Sequence, residues 1–265
     1  METMAALEIL QFPCWNDNYG VLIHDSQGGV TASIDAPEED AVREALRGAG
    51  LKLTHIFTTH HHRDHVEGHK GLKQVTGCKI YGSAQDAPRI PGIDVEIGDG
   101  DRLAFGSFEV RVLETPGHTR GAITYYIPDA LAPGQGIAFT GDTMFSIGCG
   151  RLFEGTPAQM WHSLEKIAAL PASTLIYCGH EYTQANIRFA LAVEPKNEAL
   201  LRRKAEVDAL RAQDKPTLPV PLATELETNP FLRVNSPAIR ESLGFGADAP
   251  PEAVFEELRR RKDTF

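Results

Sequence analysis

Leu53-Thr54-His55-Ile56-Phe57-Thr58-Thr59-His60-His61-His62-Arg63-Asp64-His65 is the stretch around which the rest of the chain can be read. Leu53–Thr58 is apolar enough for a buried strand, and it delivers a run of imidazoles and a carboxylate at its C-terminal end. Crowding such groups is costly unless a cation or hydrogen bonds neutralise them. His and Asp at this spacing can supply ligands to two adjacent metals, which favours metal-assisted hydrolysis over a simple binding module. His61 lies between two ligand candidates; in extended backbone it points away and is expected to serve a structural or supporting role.

Upstream, Leu7–Phe12, Tyr19–His24 and Gly29–Ile34 read as short strands separated by turn-formers. Glu38–Arg47 reads as a helix, with acidic residues in its first turn and Gly48 and Gly50 at its end. Downstream, Val66–Val75 is expected to be a short helix. Lys79–Tyr81, Arg102–Phe105, Phe108–Leu113, Ile123–Ile127 and Ile137–Thr140 continue the strands. Pro157–Ala169 reads as helix and Thr174–Cys178 as one more strand. After His180 the pattern changes: Glu181–Val193 and Asn197–Arg211 are helical, 215–221 is a Pro-rich extended connection, and Pro251–Arg261 is an amphipathic helix. Neither Glu181–Val193 nor Asn197–Arg211 contains a convincing strand. The layout is a strand-rich α/β domain over 1–180 followed by a smaller, mostly helical C-terminal domain over 181–265.

The chain of 265 residues, 42% apolar, can bury a sizeable core. No run approaches the roughly 20 apolar residues that span a bilayer. The start, Met1–Phe12, lacks a basic region followed by a long apolar one, so a cytoplasmic location is expected. Cys14, Cys78, Cys149 and Cys178 are widely spaced and form no C-x-x-C, so they are expected to be free thiols. The net charge of −10 disfavours a nucleic-acid partner. Residues 181–265 hold 13 Lys/Arg against 14 Asp/Glu, so nearly all of that excess falls in residues 1–180. Bound divalent cations would offset it, while the locally basic Arg259-Arg260-Arg261-Lys262 could meet an anionic ligand.

Three more segments set a metal-type side chain beside glycine just after a strand: Pro116-Gly117-His118, Gly141-Asp142 and Gly179-His180. Each alone is an ordinary turn signal. In series with the His60–His65 run they point to one shared site on strand-terminal loops.

These motifs resemble the metallo-β-lactamase superfamily, whose signature is H-x-H-x-D-H followed by distant His, Asp and His ligands. Within it, the chain is similar to the glyoxalase II (hydroxyacylglutathione hydrolase) family along essentially its whole length. The likeness runs through Asp17-Asn18-Tyr19, Thr59–His65, Thr140–Phe145, Gly148–Thr156, Gly179–Thr183, Thr228–Arg233 and the Arg259-x-x-Lys262-Asp263-x-Phe265 tail. The resemblance implies a four-layer αβ/βα sandwich with two divalent metal ions at one edge. His60, His62 and His118 would bind the first, Asp64, His65 and His180 the second, and Asp142 would bridge them. Asp64 and Asp142 are thus the implied catalytic carboxylates, with a metal-bridging hydroxide as nucleophile. An all-N/O ligand set suits Zn, Fe or Mn, with zinc expected.

The implied substrate is a glutathione thioester, typically S-D-lactoylglutathione, hydrolysed to glutathione and D-lactate in the second step of methylglyoxal detoxification. Arg151, Arg259 and Lys262 would meet its glycine end, with the Tyr182 hydroxyl donating nearby. Where some relatives carry Tyr, this chain has Phe153, so one hydrogen bond to the peptide portion would be lost or replaced. The alternatives are a glutathione-persulfide dioxygenase, which uses one iron and lacks the helical C-terminal region, or another hydrolase of the superfamily. A non-catalytic relative should have lost some of the seven ligands. A monomer is expected.

Simpler roles stand beside these. His24, His55, His69 and His162 lack motif support and are expected to be surface or internally satisfied residues. Asp35 could orient a ligating imidazole or cap the following helix. Arg259–Lys262 could be a solvated helix end. Glu181 could be a first-turn helix residue or a supporting group.

Overall fold

The computed structural model describes residues 6–265, so the reading of Met1–Phe12 as free of an export signal falls partly outside the described residues. Alternating apolar residues build the first sheet from β1 (Glu8–Cys14), β2 (Asn18–Asp25), β3 (Val30–Ile34), β4 (His55–Phe57), β5 (Lys79–Ser83) and β6 (Val95–Ile97), in that spatial order. The first three strands pair antiparallel and the last three joins are parallel. The second sheet takes β7 (Arg102–Phe105), β8 (Phe108–Glu114), β9 (Ile123–Ala132) and β10 (Gln135–Phe139). After a two-stranded hairpin, β11 (Met144–Phe145) with β12 (Gly148–Cys149), it is completed by β13 (Leu175–Tyr177) and β14 (Val220–Pro221).

The period of two along each strand sends successive side chains into different layers. Val21, Ile23, Phe57, Val112, Tyr125, Ile137 and Phe139 fill the space between the two sheets. Leu22, Ile56 and Ile80 face the other way and pack with Val42 and Leu46 of α1 (Glu39–Ala49). Beyond the second sheet, Ala138 and Ile176 meet Met160, Trp161 and Leu164 of α4 (Pro157–Ala168), together with Phe231, Phe255 and Leu258 from the C-terminal region. The result is the expected αβ/βα four-layer sandwich.

Three expectations are corrected. The Val66–Val75 helix is two short ones, α2 (Arg63–Val66) and α3 (His69–Thr76), broken around Gly68. There the Gly68 amide bonds Ala36 O at 3.0 Å instead of continuing the helix. The helix expected from Glu181 starts at Thr183 as α5 (Thr183–Val193), because Glu181 N–H is donated to Asp17 O at 2.9 Å. The Pro-rich stretch read as a connection ends in a strand: β14 pairs antiparallel with β13 at the sheet edge, where a proline is tolerated. The remaining helices are α6 (Glu198–Arg211), α7 (Leu222–Thr228), α8 (Pro237–Leu243) and α9 (Pro251–Asp263). Among the described residues no helix is long and apolar enough to cross a membrane. All four cysteines are buried and free, as their spacing suggested.

The sheet interior also carries a polar tie. Tyr125 is fully buried, its ring 5.2 Å from that of Phe57, and its hydroxyl donates to Thr58 O at 2.9 Å. Tyr125→Phe keeps the packing and strands that carbonyl, so it should cost about 1–3 kcal/mol of stability by denaturant titration. A loss below about 0.3 kcal/mol would show that the bond contributes little.

Candidate metal centre

Each ligand candidate stands just beyond the C-terminal end of a strand. β4 leads into His60–His65, β8 into the loop bearing His118, β10 into Asp142 and β13 into His180. The carboxyl ends of strands in open α/β sheets are the usual place for a site. Here both sheets deliver residues to one point.

Asp142 lies at the centre. Its Oδ1 is 3.3 Å from His65 Nε2, and its Oδ2 is 3.5 Å from His118 Nε2 and 3.4 Å from His180 Nε2. Asp64 Oδ2 is 3.3 Å from the same His180 nitrogen. His118 Nε2 lies 3.0 Å from His62 Nδ1, and the His60 ring is 5.0 Å from that of His118. Three groups have donor atoms close enough to share an ion: His60, His62 and His118; His60, His65 and Asp142; and Asp64, His65 and His180. All seven expected ligands therefore converge. Gly179 permits the approach, since a Cβ there would lie 2.6 Å from Asp142 Oδ1 and 2.7 Å from His65 Cε1.

The rings are held from behind. His65 Nδ1 bonds Asp35 Oδ2 at 2.7 Å, His180 Nδ1 bonds Asp17 Oδ1 at 3.0 Å, and His118 Nδ1 donates to Arg151 O at 2.9 Å. His60 Nδ1 meets Thr59 Oγ1 at 3.1 Å, and that hydroxyl donates to Asp35 Oδ2 at 2.8 Å. These ties turn the Nε2 atoms of four histidines inward, the arrangement that fixes ligand tautomer and direction. Inward, His60 Nε2, His65 Nε2 and Asp142 Oδ1 are buried and make no hydrogen bond. Buried polar atoms are normally satisfied, so this trio fits divalent ions between them.

The electrostatics agree. Burial, with neighbouring imidazoles, keeps His60 well below the usual histidine range, hence neutral. Burial opposes charge on His65 too, but Asp142 and Asp35 outweigh it and hold that ring well above the range. The same balance, led by Asp142, pushes His180 up to about 10. Positive charge is thus demanded where ions would stand.

Beside this cluster lies a cavity of about 610 Å³. His62, Asp64, His118, Asp142 and His180 line one end, and Arg151, Tyr182, Arg259 and Lys262 come from the expected substrate set. Tyr182 stacks on His180, with centroids 4.7 Å apart and planes 4° from parallel. Arg259 is buried and partly committed: Nη1 donates to Cys149 O at 2.8 Å, while Nε and Nη2 reach Asp263 at 3.1 and 2.9 Å. It is no solvated helix end. Lys262 makes one long bond, to Ala185 O at 3.3 Å. Half-burial, with Arg259, Arg188 and Arg151 nearby, pushes its ammonium down to about 8. Phe153 is 62% exposed and presents its ring to His62 and His118.

Other readings settle on position. His61 turns away to Asp86 Oδ2 at 2.7 Å. His24 bonds Val30 O and Thr31 Oγ1, His162 pairs with Glu165 at the surface, and His55 packs among Phe57, Tyr81 and Phe105. His69 is fully buried, and burial lowers it to about 3. Asp35 orients a ring and does not cap α1, whose N-cap is Glu38. Glu181 ties strand and tail, accepting from Tyr19 Oη at 2.6 Å and from the Thr217 amide at 2.9 Å. Sequence reasoning gave no role to Asp17, Asn18, Asp86 or Phe145. Asn18 Nδ2 donates to Asp64 O and Oδ2 at 3.2 and 3.3 Å, and the Phe145 ring packs against His180 and Tyr182.

A two-sheet sandwich with a His/Asp cluster at its strand ends is the architecture of a metal-dependent hydrolase, and residues 28–180 match the model of the metallo-beta-lactamase superfamily. Residues 181–265 match that of the hydroxyacylglutathione hydrolase C-terminus. Hydroxyacylglutathione hydrolases of Brucella anthropi and Brucella ovis are each 56% identical over 259 residues, 98% of this chain and 97% and 98% of theirs. The chain is an enzyme and belongs to the hydroxyacylglutathione hydrolase family. More distant solved structures share the fold. A metallo-beta-lactamase from Staphylococcus aureus has a TM-score of 0.65 at 21% identity, over 98% of this chain and 72% of that one. ETHE1 from Myxococcus xanthus has 0.64 at 24%, over 97% and 98%.

Asp35→Asn keeps a residue that tolerates the left-handed backbone found at this position (φ 54°) and weakens its hold on His65. Metal affinity in competition with a chelator should fall about 10–100-fold. Unchanged affinity in folded protein would remove Asp35 from the centre.

Proposed function

We propose that this chain hydrolyses S-(2-hydroxyacyl)glutathione thioesters, S-D-lactoylglutathione being the typical case, to glutathione and a 2-hydroxy acid. The observation that carries the reading is one cavity in which five of the seven clustered ligand-type side chains, His62, Asp64, His118, Asp142 and His180, share a lining with Arg151, Arg259 and Lys262. His60, His62 and His118 would hold one divalent ion, Asp64, His65 and His180 a second, with Asp142 shared. Zinc is proposed, with iron or manganese able to replace it. Such ions would polarise the thioester carbonyl and lower the pKa of water.

The protein's own groups do the rest. Lys262, Arg151 and the uncommitted N–H groups of Arg259 bind the glutathione carboxylates and fix the peptide along the cavity. Tyr182, rigid on His180, offers its hydroxyl to the peptide. The Asp64 and Asp142 carboxylates present acceptor oxygens that orient the attacking water at the cavity floor. The departing group is a thiolate, stable enough to leave without a strong general acid. Residues 1–180 act as the catalytic domain and 181–265 as the substrate-binding one, in a cytoplasmic monomer.

Purified protein should hydrolyse S-D-lactoylglutathione, lose activity with chelator and regain it with zinc or manganese; a two-metal protein without turnover would overturn the assignment. Asp142→Ala should abolish two-metal binding. Lys262→Ala should raise KM about tenfold with kcat within about threefold, because a charge-assisted bond contributes about 1.5–3 kcal/mol to ground and transition states alike. The Lys262 cation exists below its pKa of about 8 and is lost above it, so KM should climb as pH passes 8. Lys262→Arg should flatten that rise; the same rise in the arginine variant would place the titration elsewhere.

A further inference from the structure

Between Asp142 and Arg151 the chain makes the β11–β12 hairpin, and the polar groups of its turn are satisfied from beyond residue 180. Ser146 Oγ and the Ile147 amide donate to the two oxygens of Glu225, at 2.8 and 2.7 Å. Asn229 Nδ2 donates to Gly148 O at 3.0 Å and Phe145 O at 3.3 Å, and lies 3.0 Å from Glu225 Oε2. Asn186 Nδ2 donates to Ser146 O at 3.0 Å, and Arg259 to Cys149 O. Glu225 and Asn229 are fully buried. The turn also holds Ile147 at φ 58°, a left-handed conformation that a β-branched residue keeps only when its surroundings impose it.

The hairpin leads straight into the metal centre. Gly150 lies on Asp142 so closely that a Cβ there would be 2.0 Å from Asp142 O. Its amide bonds Thr143 O at 3.3 Å, and the next carbonyl, Arg151 O, takes the proton of His118 Nδ1. A shift of the turn therefore moves the supports of two ligands.

We propose that Glu225, assisted by Asn229, is a positioning residue for the metal centre: from α7 it clamps the 145–148 turn so that Asp142 and His118 keep their ligating pose. This rests on the reading of Asp142 and His118 as metal ligands. A fully buried carboxylate is expensive unless paired, and all the donors that reach it belong to the hairpin or to Asn229.

The test is a chelator competition on purified, metal-loaded full-length protein, counting metal retained per chain, alongside thermal unfolding of the metal-free form. Glu225→Gln keeps the shape but sets an NH2 against one of the two hairpin donors. It should weaken metal retention about tenfold, in line with losses from groups that orient ligands. Ser146→Ala removes one bond to Glu225 and should shift retention the same way by about two- to threefold. A merely structural role predicts a lower melting temperature of metal-free Glu225→Gln with wild-type retention, and that result overturns the clamp. If Glu225→Gln does not fold, wild-type retention in folded Ser146→Ala overturns it equally. Wild-type protein that retains no metal would instead sink the reading of the centre itself.

Discussion

The structure turns on one buried carboxylate. Asp142 is taken out of water, surrounded by His65, His118 and His180, and held well below the usual carboxylate range because His65 and His180 outweigh the penalty of burial. A charge in that position is tolerable only with positive charge at both oxygens. His65 and His180 are both held above the usual histidine range by that carboxylate, and two divalent ions would supply the positive charge more fully and let those rings act as neutral ligands. The fold is arranged around that demand. Strand ends from both sheets meet Asp142, and glycine at 179 gives it room.

The supports extend the same logic outward. Asp35, Asp17, Thr59 and the Arg151 carbonyl each take one ring nitrogen, so the other faces the centre. Asp35 also accepts the Thr59 amide at 2.6 Å, which ties the end of β3 to the loop after β4. One carboxylate thus aligns two neighbouring parallel strands and aims a ligand. Farther out, His61 bonds Asp86, Asp86 pairs with Arg89, and Arg89 pairs with Glu154, which links the loops flanking the site. The centre is built in layers, because four of its histidines, His60, His65, His118 and His180, are each held from behind by a further group.

How much of this could be read from the chain differs by kind of contact. The His60–His65 run was legible because its ligands are close in sequence. His118, Asp142 and His180 were legible because a metal-type residue beside glycine after a strand is a recognisable pattern. Asp17 was not: its meaning depends on His180, 163 positions away, and an Asp between two Asn reads as an ordinary turn. Glu225 was invisible for a different reason. In Leu222–Thr228 it looks like an exposed polar position of a short helix, and only tertiary packing buries it. β14 was missed because its hydrogen bonds come from β13, while its proline-rich sequence advertises a connection. Asp35 left two roles open that the sequence weighed alike, and the 2.7 Å bond to His65 decides between them.

Under the proposed function, the charge pattern gives the C-terminal segment its purpose. Nearly all of the negative excess falls in residues 1–180, which under the proposed function would hold divalent cations, yet a glutathione thioester brings carboxylates of its own. A metal cluster alone would attract that anion weakly once its charge is cancelled by Asp64 and Asp142. Residues 181–265 contribute little net charge but bring Arg259 and Lys262 to the cavity that Arg151 also lines. That concentration has a limit, visible in Lys262, whose ammonium is pushed down to about 8 by burial and by neighbouring guanidiniums. Asp263 relieves part of the crowding by pairing with Arg259, and the Cys149 carbonyl takes another of its donors. Under the proposed function the same guanidinium would serve recognition with what remains while it anchors the hairpin beside Asp142 with the rest, so affinity for the peptide and the shape of the centre would be set by shared atoms.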